Sequence, residues 1–196
     1  MSATPSEASG TWPAILTWCA HDVPRMESTR VSLAGKRIKA NGRIVAGATG
    51  VHPAFSASYD LVTDDHGATK RLSLSVTFSE RDRQLSIARD EENMWSITDH
   101  QGQRRGAFDG ALDVDVVFSP FFNALPIRRT GLFNRNESVT VPVVYVMLPQ
   151  FEVSPAEITY RSEPDGIKLH SPVADTKVTV DDEGFILDYP GLAARI

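Results

Sequence analysis

The side chains with the most chemical capacity gather in one segment, where Asp113 and Asp115 alternate with valines and are followed by Asn123 and then Arg128-Arg129. A guanidinium fork suits the oxygens of a phosphate or sugar head group, which makes Arg128 and Arg129 candidate ligand contacts. The same fork suits a carboxylate. Asp113 and Asp115 stand two residues apart and so share one face of a strand, so internal ion pairs to the arginines are the competing reading. Their oxygens also match a hard cation, but Asp109-Gly110-Ala111-Leu112-Asp113 lacks the stepped ligands of a calcium loop. Asn123 is either a ligand amide or a group that ties down the turn at Pro126. Tyr160 and Tyr189 offer ring faces or hydroxyls to the mouth of a cavity, or else lie in the core with satisfied hydroxyls.

Other familiar chemistries lack their residues. The five histidines, His21, His52, His66, His100 and His170, are scattered and form no His-x-x-x-His or His-Glu-x-x-His pair. A lone Cys19 rules out an internal disulfide and a cysteine-based zinc site. Neither a Gly-x-Ser-x-Gly elbow nor a phosphate-binding glycine loop occurs, and Gly47-Ala48-Thr49-Gly50 is too short and precedes no helix. No metal and no cofactor is expected. A hydrolase assembled from distant residues stays open, but nothing in the sequence argues for catalysis.

The elements that must position these groups read as strands. Leu72, Leu74, Val76 and Phe78 alternate with Ser73, Ser75 and Thr77, giving one apolar and one small-polar face. Leu85 and Ile87, then Val139, Val141 and Val143, then Val178 and Val180 repeat the pattern, with Pro142 marking an edge or a bulge. Turn signals fall between the runs at Asp64-Asp65-His66-Gly67, His100-Gln101-Gly102, Asp109-Gly110, Asp165-Gly166 and Asp182-Glu183-Gly184. Asn41-Gly42, between Arg37-Ile38 and Ile44-Val45, predicts a tight hairpin. Helical signal is scarce. Ser119 as N-cap, Pro120 at the first helical position and Phe121, Phe122 and Leu125 as an apolar stripe predict one short helix, ended or kinked by Pro126. A weaker helical pattern over 79–87 is better read as a hairpin. The expected organisation is a flexible N-terminal tail over residues 1–11 and one mainly β domain over 12–196.

Composition sets the remaining limits. The chain of 196 residues carries 20 basic and 25 acidic side chains, a net charge of −5. Basic residues form isolated pairs at most and never a long run, which argues against nucleic acid as a partner. The first ten residues, MSATPSEASG, lack the basic start and apolar stretch of a signal peptide, and no segment has the ~20 apolar residues a spanning helix needs. A cytoplasmic location is the expectation.

Two stretches carry a family resemblance. Asp113-Val114-Asp115-Val116-Val117-Phe118-Ser119-Pro120-Phe121-Phe122-Asn123-Ala124-Leu125-Pro126-Ile127-Arg128-Arg129 and the tail Val180-Asp181-Asp182-Glu183-Gly184-Phe185-Ile186-Leu187-Asp188-Tyr189-Pro190-Gly191-Leu192 resemble the bacterial "putative glycolipid-binding" family, with a weaker echo at Trp18 and Glu27. The likeness runs from about Trp18 to Ile196. This sequence departs from the family pattern at Arg25, where Gly is usual, at Thr130 in place of an aliphatic residue, and at Ala193 in place of Trp. The resemblance implies a long antiparallel sheet curled as a spiral β-roll around one helix, similar to the lipoprotein-localisation factors that carry acyl chains. It implies an amphipathic lipid or glycolipid as partner, its chain in an apolar cavity and its head group at the mouth. An enzyme acting on such a lipid through Asp115, Tyr189 or a histidine, and a β-rich interaction module without ligand, are the alternatives.

Overall fold

The computed structural model describes residues 12–196, the side chain of Asn134 excepted; the expected N-terminal tail lies outside the described residues. Eight strands form a continuous antiparallel meander. They are β1 (Ala14–Ala20), β2 (Arg25–Ala34), β3 (Arg37–Ala46), β4 (Phe55–Thr63), β5 (Thr69–Thr77), β6 (Asp82–Arg89), β7 (Trp95–Asp99) and β8 (Gly102–Gly106). Then come β9 (Asp113–Val116), the helix α1 (Pro120–Thr130) and β10 (Ser138–Met147). A second meander follows through β11 (Glu152–Glu163), β12 (Gly166–His170), β13 (Asp175–Val180), β14 (Ile186–Tyr189) and β15 (Ala193–Arg195).

All fifteen strands join one sheet, because β15 pairs with β1 and links the two meanders at its middle. The sheet curls but does not close. Its free edges, β8 and β9, are consecutive in the chain. Trp95 on β7 bridges the gap by donating from Nε1 to the Ala111 carbonyl at 2.9 Å. The expected curled antiparallel sheet with one short helix is therefore the observed architecture, with one parallel pair, β9 with β10. Parallel neighbours need a long crossover, and α1 supplies it.

Alternation explains the first meander. In β3 every second residue is buried from Ile38 to Ala46, and β4, β5 and β6 follow the same period. The other end of the sheet is different. All four residues of β9 are buried, as are Val143 to Val146 of β10, so this end is rolled inward and covered on both faces. Within it, α1 is buried over eight successive residues, Pro120 to Ile127, rather than along the one stripe expected of it. Phe121 and Phe122 pack against Tyr59, and Phe121 stacks on Phe185.

Three local expectations meet different outcomes. Asn41-Gly42 is no hairpin turn; it lies in the middle of β3, paired with β2 and β4. Gly42 is there for space, since a Cβ would fall 2.0 Å from Cζ of the Tyr59 ring. Pro126 does not end α1, which continues to Thr130 and stops at Gly131, whose φ of +68° is the left-handed cap geometry. The Pro126 carbonyl accepts from Thr130 Oγ1 at 2.8 Å, and burial of Ile127 holds the last turn in place. Pro142 does mark an edge, because β9 covers β10 only from Val143 to Val146.

Candidate functional site

The inward roll carries polar groups into the interior, and one cleft collects them. It encloses about 560 Å³ and is open to solvent. Asp115 from β9, Asn123 from α1, Tyr145 from β10 and Tyr189 from β14 line one part of it. Arg25 from β2, Phe118 and Leu192 line another, and Val23 and Val173 stand at the rim, 36% and 62% exposed. The cleft lies where the two meanders meet over the N-terminus of α1. Another hollow of about 580 Å³, among Ser58, Ser73, Ser75 and Ser86, holds none of the buried polar atoms that lack a partner among the described residues.

Asp115 is the unusual group. Its strand is parallel to β10, which sets it opposite Tyr145 in register. The side chain is buried, and Oδ1 has no hydrogen-bond partner. Burial pushes its pKa up to about 7; the charge of Asp113 adds to the shift, and a bond from the Val116 backbone opposes it. The carboxyl is thus poised between donor and acceptor near neutral pH. Three phenols are close enough to feel its charge. Burial, then the negative charge of Asp115, raises the pKa of Tyr145, Tyr160 and Tyr189 above the usual tyrosine value, which keeps all three neutral.

A second acid sits behind the cleft. Glu27 on β2 accepts through Oε1 from Tyr59 Oη at 2.6 Å and from Ser119 Oγ at 2.5 Å, while Oε2 has no partner. Thr29 Oγ1 and Tyr59 Oη are 2.6 Å apart and extend the chain of bonds. Burial lifts the Glu27 pKa to about 7 against these hydrogen bonds and the charge of Arg25. Ser119, expected to cap α1, makes no side-chain cap bond because its hydroxyl goes to Glu27. Between β9 and α1, Phe118 is held at a φ of +77°, a conformation that costs a non-glycine residue ~1–3 kcal/mol and that clusters at functional sites.

Of the residues nominated from sequence, Asp115, Asn123 and Tyr189 meet in the cleft. Tyr160 stands behind them and donates its hydroxyl to Asn123 Oδ1 at 3.1 Å. The arginines turn elsewhere. Arg129 grips Asp113 through Nε at 3.0 Å and Nη2 at 2.7 Å, the internal ion pair that competed with the head-group reading. Arg128 pairs instead with Glu183, its Nη1 3.1 Å from the carboxylate, and lies over the Phe185 ring at 4.8 Å. Sequence reasoning passed over Tyr145, Ser119 and Arg25. The signal for Arg25 was its phase: Arg25, Glu27 and Thr29 occupy the buried positions of β2 where apolar residues belong.

The model of the family described as "Putative glycolipid-binding" matches residues 15–195. The chain belongs to that family. Among curated proteins none matches in sequence. The crystal structure of a DUF1089 family protein from Pseudomonas aeruginosa is similar, with a TM-score of 0.69 and 26% identity over 87% of this chain and 92% of that one. No helix among the described residues of this chain is long and apolar enough to cross a membrane, and no cluster of three or more potential metal ligands occurs among them.

Proposed function

We propose that this protein binds an amphipathic glycolipid in the cleft, with sugar hydroxyls at Asp115, Asn123, Tyr145 and Tyr189 and apolar chain along Phe118, Leu192, Val23 and Val173. The unpartnered Oδ1 of buried Asp115 carries the reading. A buried polar atom without a hydrogen bond costs ~1–3 kcal/mol, and a ligand hydroxyl that meets it recovers that cost. A carboxyl near its own pKa either donates to or accepts from a sugar, as the ligand requires.

Size supports the same reading. A volume of about 560 Å³ is within the range of small-molecule sites, which suits a sugar and the first part of a chain. The chain runs along the cleft, not through the centre of the roll, because α1 fills that centre. Five methylenes against the apolar wall contribute up to ~4 kcal/mol before the cost of ordering them. The proposed setting is the cytoplasm, and the role is that of a carrier or sensor. Arg128 and Arg129 hold the inner wall through their carboxylate partners.

Native mass spectrometry of protein purified from cells tests this. A retained mass that falls to glycosylated acylglycerols on tandem fragmentation is the expected result, and Asp115→Leu loses it while melting no lower than the parent. A protein that emerges empty and takes up no galactolipid from mixed micelles ends the proposal. One observation favours an enzyme as second reading: an acid with a pKa of about 7 beside tyrosines suits general acid catalysis at neutral pH. In that case Asp115→Asn keeps the lipid and abolishes its turnover.

A further inference from the structure

We infer that the head group bound here carries an anionic oxygen, a phosphate, sulfonate or carboxylate beside its hydroxyls, and that Arg25 is the residue that receives it. This rests on the glycolipid reading above and narrows it to acidic head groups. Arg25 lines the cleft and is only 8% exposed. The one hydrogen bond that its side chain makes among the described residues is a long one, from Nη2 to the Leu192 carbonyl at 3.4 Å. Its guanidinium lies over the ring of strained Phe118 at 4.5 Å, which fixes the plane of the fork without using its N–H groups.

Comparison with other sheltered arginines gives the inference its weight. Arg89, Arg128, Arg129 and Arg195, with side chains 9%, 10%, 19% and 20% exposed, each hold a carboxylate: Asp64, Glu183, Asp113 and Asp181. Buried cations are paired as a rule. Arg25 makes no ion pair among the described residues. The acid it feels, Glu27, stands two residues along β2 with its Oε1 already accepting from Tyr59 and Ser119. Five N–H donors on a fixed plane, opening on a cleft with a single weak bond, match an oxyanion that accepts two of them at once. Asp115 and the tyrosines then take the neutral hydroxyls, so the two sides of the cleft read different parts of one head group.

The test compares two short-chain glycolipids of equal tail, dihexanoyl sulfoquinovosyl glycerol and dihexanoyl galactosyl glycerol, with glucose 6-phosphate as an anion without a tail. Titration calorimetry on the parent protein is expected to favour the sulfonated lipid by about tenfold or more, the scale of a charge-assisted hydrogen bond. Arg25→Gln, which keeps a donor for Leu192, brings the two lipids to parity, and Arg25→Lys recovers part of the preference. A purely structural Arg25 would lower both affinities alike and leave their ratio unchanged, which overturns the inference. Equal binding of both lipids by the parent overturns it while sparing the glycolipid reading. Binding of glucose 6-phosphate with neither lipid keeps the anion subsite and removes the lipid; binding of none of the three removes both.

Discussion

The two ends of the sheet solve the same folding problem with different materials. From β3 to β7 the inward positions are filled mostly by residues such as Ile44, Leu61, Leu72 and Ile87, and the outward ones by serines, threonines and charges. At the β9–α1–β10 end the buried positions admit Asp113, Asp115, Ser119, Asn123 and Tyr145. An alternating apolar face needs only to be covered, whereas a polar group in the interior must be met by a partner. Most are met: Asp113 by Arg129, Asn123 by Tyr160, Ser119 by Glu27. Oδ1 of Asp115 is not, and Asp115 lines the cleft. Of the buried side-chain atoms without a partner among the described residues, only Oδ1 of Asp115 belongs to a residue lining the cleft, and that combination distinguishes it from the structural polar groups.

That contrast is breakable at named positions. The largest effect is expected from Arg129→Met. It strands the fully buried Asp113 without its cation and should cost about 4 kcal/mol in urea unfolding, as removal of one member of a buried pair does. Gly42→Ala comes next, at about 3 kcal/mol, because the added methyl collides with the Tyr59 ring in a well-packed wall. It would show that even the plain meander was shaped to let Tyr59 reach Glu27.

Asp115→Asn should act in the opposite direction and only at high pH. The folded-state pKa of about 7 lies above the ordinary value of ~4, so the stability tied to protonated Asp115 is complete below pH ~4 and is lost as the pH rises through 7. The amide cannot ionise. Melting profiles are therefore expected to show the variant's advantage over the parent growing by about 3 kcal/mol between pH 5 and pH 9. A gain of the same size at both pH values would mean that folded Asp115 is already ionised at pH 5 and that its pKa is not raised. Arg128→Gln should be mildest, at about 1 kcal/mol, because Glu183 is half exposed and water replaces the lost pair. If Arg128→Gln proves as costly as Arg129→Met, the ranking of the two arginines by partner burial fails.

Much of this could be read from the chain, and the misreadings follow one rule. Period-two alternation located β5 and β6, and the Asp-Gly punctuation located the turns before β12 and β14, because those signals are local. The helix announced itself through Ser119-Pro120, and the i, i+2 aspartates did share one face. Asn41-Gly42 misled because a glycine that makes room for a ring looks the same in sequence as one that makes a turn. Pro126 misled because burial held the last turn of α1 against its loss of a backbone bond.

The sequence alone determined the strand period, the single helix, the membership of the two motifs in one family and the shared face of Asp113 and Asp115. Only the tertiary structure decided which carboxylate each arginine took, that β15 would meet β1, and that Asp115 and Arg25 would line one cleft from strands ninety residues apart (positions 115 and 25). The reason is physical. Period and turn chemistry are properties of neighbouring residues, whereas the pairing of a buried charge depends on which distant group the curl of the sheet brings within ~4 Å of it.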